Sequence, residues 1–225
     1  MSLTAPKKAL KDRLHVHRIE SLAAREGALE VLTSVFCGEK GWIDDLEEFF
    51  PENDLEREQV SWFLATVDDQ PVGVMRVLYE IPFDLYMDYG FEMSDSGFDV
   101  EAFVRNNRIA EIGRFAIIPQ YRKRILVATL LMRAAVIDTM DRDYTHFITD
   151  VFENDPNTPL EFHQRILGFK PVATHHIGEL NHVGRRITLL VDVKEQLRRL
   201  YNCNNWIFRI ISQGWKERLV HQISA

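Results

Sequence analysis

Glu111 and Arg114 interrupt an otherwise apolar run from Ile109 to Ile118, and three cations, Arg122, Lys123 and Arg124, follow the break at Pro119-Gln120. An acid in an apolar strand is costly to bury unless it is paired or put to use. Glu111 is therefore a candidate general base, acting directly or through a water. The competing reading is a structural ion pair with Arg114 or Arg76. Arg114 could hold a carboxylate through two parallel hydrogen bonds, with Arg76 the weaker candidate for that task; here too the alternative is an ion pair. A regular strand would turn Arg114 and Glu111 to opposite faces, and a β-bulge would change that.

The spacing predicts one long helix over residues 122–140, apolar on most sides and so buried against a sheet. Its first turn would hold the three cations beside free backbone N–H groups and a positive dipole end. Such an end suits phosphate; the plainer alternative is a solvated basic helix start. His163 stands in a second expected helix, Leu160 to Leu167, closed by Gly168. Imidazole can give a proton near neutral pH, although a lone helical histidine is also a common structural residue. Asn154 follows a strand, where turn formation competes with ligand contact. His175, His176 and His182 lie near Glu179 but fit no metal-ligand pattern, so a polar loop is expected there.

These residues need elements to position them. His15 to Ile19 reads as a short strand and Glu26 to Phe36 as a helix. Trp62 to Val67 and Val72 to Tyr79 read as a hairpin around Asp68-Asp69-Gln70-Pro71. Residues 80–97 are loop-like, and Val100 to Asn107 is a short helix. His146 to Phe152 and Arg186 to Val193 are strands. Residues 194–225 look helical, with Ile207, Ile211, Trp215, Leu219 and Ile223 forming one stripe. The order implies an α/β (α+β) fold, a mixed sheet with helices on its faces. At 225 residues, with 46% hydrophobic and 27% charged residues, the chain can bury a full core. Its net charge of −7 argues against general nucleic-acid binding. The acidic excess lies in residues 44–58, whereas both ends lean basic. Cys37 and Cys203 form neither a disulfide framework nor a metal set, as in a cytoplasmic protein. The first residues lack the apolar core of a secretory signal.

The segment Ile118-Pro119-Gln120-Tyr121-Arg122 resembles the pyrophosphate-binding motif of the GNAT superfamily of N-acyltransferases. That motif continues as R/Q-x-x-G-x-G/A. Phe162 to Phe169 resembles the superfamily's helix-to-strand corner ending in Leu-Gly-Phe, and the hairpin with Gly73 fits as well. More narrowly, Glu111 to Ile117 is similar to the E-x-x-R-F/L-A-V strand of the long-chain N-acyl amino acid synthases and the acyl-homoserine-lactone synthases. Val72 to Val77 is similar to their G-x-x-R strand. The run Arg165-Ile166-Leu167-Gly168-Phe169 looks like the acyl amino acid synthases in particular, and the lactone synthases' Arg-Phe-Trp signature is not evident.

The resemblance implies a mostly antiparallel GNAT-like sheet over residues 1–193 with helices on both faces, and a C-terminal amphipathic helical extension over 194–225. It implies an enzyme that moves an acyl group, long-chain by the narrower likeness, from a thioester to the amine of an amino acid or related metabolite. Backbone N–H groups around Phe115, Ala116 and Ile117 would hold the thioester oxygen, and His163 would protonate the thiolate. The carrier arm would lie along Ile118, Arg122, Lys123, Arg124, Ile125, Leu126 and Val127, with Asn154 against it. No cofactor would be permanently bound; the donor is an acyl-phosphopantetheine. Ile125 and Val127 replace the motif's glycines, which let backbone approach phosphate. A carrier protein, with one phosphodiester and no pyrophosphate, loses less by that than CoA does. Acyl carrier proteins are acidic, which the three cations suit. The alternatives are an acetyl-CoA-dependent N-acetyltransferase and a non-catalytic carrier-binding module. An apolar cleft near residues 77–104 would favour the long-chain reading. The C-terminal stripe would pack on the domain; a lid over the acyl chain or a peripheral membrane contact is the sharper alternative.

Overall fold

The structure, a computed structural model, describes residues 9–81, 89–178, 180, 182, 184–215 and 223. Glu179 and Leu219, singled out above, lie outside the described residues. One mixed sheet runs in the order β1-β2-β3-β5-β6-β8-β7-β4. Its strands are β1 (Leu14–Arg18), β2 (Val60–Val67), β3 (Gln70–Leu78), β4 (Glu92–Met93), β5 (Ile109–Ile117), β6 (His146–Phe152), β7 (Lys170–His175) and β8 (Arg186–Asp192). Every neighbouring pair is antiparallel except β5 with β6.

The hairpin forms because Asp68 and Asp69 both take positive φ, 50° and 65°. That is the two-residue turn whose twist matches its strands. Pro71 sits where the register shifts between Ala65 and Thr66, a place that tolerates its missing N–H. All eight residues of β2 are buried, as expected of a strand covered on both faces.

Two cores cover the two faces. On one, α1 (Leu22–Leu32) and its π-helical continuation Thr33–Glu39 pack with α2 (Leu46–Phe49) on Trp62, Leu64, Val74 and Ala116. On the other, α5 (Ile125–Asp141) packs on Val72, Met75, Val77 and Ile112. Helix α3 (Val100–Asn106) follows β4. Of the two C-terminal helices, α6 (Val193–Asn202) and α7 (Trp206–Ile211), the second lies on α5. This explains why α5 is apolar on more than one side.

Four expectations change. The helix over 122–140 begins at Ile125, because Pro119 starts a separate turn, α4 (Pro119–Arg122); proline is preorganised for a first helical position. The basic triplet therefore lies ahead of α5, not in its first turn. Second, His175, expected in a polar loop, is instead the last residue of β7, a strand the sequence does not mark because Pro171 and a register shift beside it interrupt its alternation. Third, residues 80–97 contain the two-residue edge strand β4. Fourth, the C-terminal segment is not one helix. Asn204 turns left-handed at φ 49° and Asn205 caps α7. Ile207, Ile211 and Ile223 are buried in the main core.

Asp138 on α5 joins that helix to the hairpin. Its Oδ2 accepts from Ser61 Oγ at 2.6 Å and from the Tyr79 hydroxyl at 2.6 Å, with Arg142 at 3.4 Å. Burial and the Asp138 carboxylate push the Tyr79 phenol well above its ordinary range. Asp138→Ala removes the acceptor of two buried hydroxyls, leaving Tyr79, among the described residues, only Thr139 Oγ1 at 3.3 Å, and should cost about 3 kcal/mol. Thermal melting should show a Tm lower by roughly 6–12 °C; an unchanged Tm would show that the network is replaceable.

Candidate active site

The site begins with an extra residue. Val74 pairs with Ala116 and Arg76 with Gly113, so Met75 faces both Arg114 and Phe115. This is a β-bulge, and Arg114 adopts φ 51° there. The left-handed conformation costs a non-glycine residue roughly 1–2 kcal/mol. The Arg114 guanidinium lies 3.6 Å from the Phe49 ring centroid, a contact worth about as much when shielded from water. The bulge puts Arg114 on the face of Glu111 and Gly113, with α2, while Phe115 turns toward Phe162 and His163. The opposite-face geometry of a regular strand does not apply.

Glu111 Oε1 accepts from Arg76 Nη2 at 2.8 Å, and both side chains are buried. The ion pair named as an alternative is therefore present. A Cβ at Gly113 would lie 2.7 Å from Glu111 Oε1, so glycine leaves room for that carboxylate.

Strands β5 and β6 pair in parallel only through Ile109, Ala110 and Glu111 with His146, Phe147 and Ile148. Beyond them the strands part. A cavity of about 150 Å³ fills the gap, with Gly113 to Ile117 on one wall and Thr149 to Phe152 on the other. Lys40 and Trp42, beyond the π-helical turn, form its roof. The Lys40 ammonium is paired with Asp155 and lies over Trp42. A second groove of about 370 Å³ shares Phe115, Ile117, Arg122, Asn157 and Pro159 with the cavity and runs on to Lys123, Ile125 and Arg165. Arg122 stands at the junction. It donates to the Ile117 carbonyl at 3.2 Å and 3.3 Å and to both Glu39 oxygens at 2.8 Å and 2.6 Å. Arg122 holds the Glu39 carboxyl below its usual range.

The expected carrier residues divide. Ala116, Ile117, Arg122, Lys123 and Ile125 line the cavity or the groove. Ile118 and Leu126 pack on the core, Val127 is fully buried within it, and Arg124 is exposed. Asn154 is exposed and lines neither space; Asn157 lines both. Helices α1, α2, α3, α6 and α7 have side-chain N-caps, whereas α5 has none.

His163 is wholly enclosed among Phe115, Phe162 and Phe169. Its Nδ1 donates to the Pro159 carbonyl at 2.9 Å, and burial lowers its pKa to about 4. The proton donation expected of it needs an imidazolium, which this setting disfavours at neutral pH.

The sequence reading passed over Asp150. Its Oδ1 accepts from Thr188 Oγ1 at 2.7 Å, and Oδ2 lies 3.1 Å from Nε2 of buried His175. Asp150 lines the cavity. The signal was the one that picked out Glu111, an acid inside an apolar strand. On the same face an apolar pocket is bounded by Phe91, Met93, Phe103, Val104, Ile109 and Ile148. Its volume is about 70 Å³. Among the described residues no His, Cys, Asp and Glu cluster could hold a metal, and no helix is long and apolar enough to cross a membrane.

Residues 39–190 match the family model for N-acyl amino acid synthase FeeM. Comparison with curated proteins finds no significant match. The chain is similar to the solved FeeM, an N-acyl amino acid synthase from uncultured soil microbes, with TM-score 0.64 and 15% identity over 88% of this chain and 97% of that one. It is also similar to an acetyltransferase assigned to the GNAT family from Desulfovibrio desulfuricans (TM-score 0.53, 13% identity, 80% and 99% covered). A spermidine N-acetyltransferase chimera from Vibrio cholerae gives TM-score 0.56 at 12% identity, over 82% and 98%. At such identities these structures establish the GNAT fold.

His163 makes a prediction about pH. Its folded pKa, about 4, lies below the ordinary 6.5. The unfolded chain therefore binds the extra proton first as pH falls, so its contribution is intact above 6.5 and is lost from there down to 4. The loss should approach roughly 3 kcal/mol. In denaturant titrations across that window, His163→Leu should show a shallower pH slope than the parent; equal slopes would contradict the buried neutral ring.

Proposed function

The chain belongs to the N-acyl amino acid synthase FeeM family of GNAT-fold acyltransferases, and we propose that it moves a long-chain acyl group from an acyl carrier protein thioester to the amine of an amino acid. The observation that carries the long-chain part is the apolar pocket behind β4 and α3. Among the described residues no charged side chain lines it, and it lies within the stretch 77–104 and the strands beneath; an acetyl group needs no such space. Residues 82–88 of that stretch are outside the described residues.

The phosphopantetheine arm enters by the groove past Ile125 and Lys123 and reaches the cavity beside Phe115 and Ile117. Backbone N–H groups of that edge donate to the thioester oxygen as it gains charge. Arg114, turned into the cavity by the bulge, binds the acceptor's carboxylate. The Arg76–Glu111 pair secures the strand ahead of the bulge, and proton transfer falls to a group that lines the cavity. The thiolate takes its proton without His163, whose ring stays neutral. The donor choice is supported by Val127, whose side chain fills the core where a glycine would let the backbone wrap a pyrophosphate. Lys123 and Arg124 remain exposed, a local positive patch for an acidic carrier.

The test is incubation with acyl carrier protein and CoA thioesters of graded length plus amino acids, with mass detection of products. Long-chain N-acyl amino acids from carrier thioesters are expected. Products from acetyl-CoA alone would overturn the reading, and no transfer from any donor would favour a binding module. Val104→Trp should fill the pocket and lower kcat/KM for the longest donors by about tenfold or more, sparing short ones. Equal effects on all chain lengths would remove the pocket from the acyl path.

A further inference from the structure

Beyond Arg114, the cavity wall carries two carboxylates among the described residues, Asp150 and Asp155. Asp155 is taken by Lys40. Asp150 differs, because its partners hold it in place without enclosing it. Thr188 donates to Oδ1 at 2.7 Å from one side, His175 approaches Oδ2 at 3.1 Å from another, and the side chain keeps 22% of its exposure.

His175 is built as a support. Its side chain has no exposure. Nδ1 donates to the Ile177 carbonyl at 2.6 Å, which turns Nε2 toward Asp150. The ring stacks on Tyr89 at 5.7 Å and meets the edge of Phe91 at 4.8 Å. With Nδ1 donating, the neutral ring offers Oδ2 no proton, so Nε2 has no hydrogen-bond partner here; it can accept from Asp150 once that carboxylate has taken a proton. Catalytic contacts often tighten only when substrate is bound. A buried imidazole fixed at one nitrogen and set against a carboxylate at the other is costly as a mere filler of space.

We propose that Asp150 docks the acceptor's ammonium and takes a proton from it, with His175 as the positioning residue behind it. The inference rests on the acyl-transfer reading above and deepens it. Arg114 and Asp150 then give one cavity a cation for the acceptor's carboxylate and an anion for its amine, the charge pattern of a free α-amino acid. Asp150 takes one proton, and the freed lone pair forms the C–N bond to the thioester carbon. The C–S bond breaks, and the thiolate leaves with the second surplus proton of the nitrogen. Asp150 then releases its own proton to solvent. Among the described residues the other charged groups at this cavity are Arg114, the Lys40–Asp155 pair and Arg122 with Glu39; His163 is the second imidazole. Arg186, two residues before Thr188 on β8, lies over Phe152.

The test uses the full chain, with whichever thioester the unaltered protein accepts, so failure of the carrier-protein reading stays separate. Transfer to an amino acid is measured against pH for the parent, Asp150→Asn and His175→Gln. Hydroxylamine, an amine already unprotonated at neutral pH, is the second acceptor. D150N should lose about a hundredfold or more in kcat at neutral pH. The deficit should shrink about tenfold per pH unit toward the acceptor's own pKa, and hydroxylamine transfer should stay within a few-fold of the parent. H175Q should show the same pattern, more weakly. A D150N loss equal at every pH and with both acceptors would mark Asp150 as structural. D150N activity close to the parent's at neutral pH would equally overturn the proposal.

Discussion

The parting of β5 from β6 is the constraint on which the rest of the molecule depends. Parallel pairing stops at Glu111 and Ile148, and a sheet that loses pairing in its middle must satisfy the exposed edge in another way. Arg122 supplies part of that by donating to the Ile117 carbonyl. On the β3 side, pairing continues through the bulge at Arg114 and Phe115. The sheet therefore stays whole on one side of β5 and opens on the other. The cavity is the space so made, and the groove that meets it at Phe115 and Ile117 is its way out.

The charges follow from that opening. Around the gap most ionic groups are matched close by: Arg76 with Glu111, Arg122 with Glu39, Lys40 with Asp155. Where such a pair is buried, as Arg76–Glu111 and Lys40–Asp155 are, it contributes little net stability, but breaking it leaves a costly lone charge. They keep the walls rigid and electrically quiet. In the proposed reaction, Arg114 over Phe49 and Asp150 beside His175 are the groups that meet the acceptor. In a water-poor cleft, fixed charges act on a substrate more strongly than they would in solvent. The apolar pocket behind β4 and α3 is lined by no charged group among the described residues, as the inert end of the proposed acyl chain would require.

The sequence made much of this legible, and where it did not the reasons are physical. The hairpin, β5, β6 and the apolar character of α5 follow from periodicity and turn chemistry. So does the singling out of Arg114, an ionic residue in an apolar run. The start of α5 was misplaced because proline can begin a one-turn helix as readily as it ends a strand. Strand β7 was hidden because Pro171 and the adjacent bulge spoil its alternation, and its last residue, His175, was read with the polar residues that follow. The side to which Arg114 points could not be read at all: one inserted residue reverses it, and no residue type at 113–115 compels the insertion. Asp150 was passed over although it carries the mark that singled out Glu111. The carrier motif was legible as a segment, but Leu126, Val127 and Asn154 lie off the groove, because matching a motif fixes order along the chain and not which side chains face the ligand.

In the proposed reaction the bulge aims Arg114 at the carboxylate of an amino-acid acceptor. This is measured most directly by comparing kcat/KM for an amino acid and for the same amine without its carboxylate, in the parent and in Arg114→Ala. The parent should prefer the amino acid by about thirtyfold or more, the worth of a charged hydrogen-bonded pair, and the variant should nearly lose that preference while handling the bare amine as the parent does. If Arg114→Ala lowers both acceptors by the same factor, Arg114 serves the strand and not the substrate.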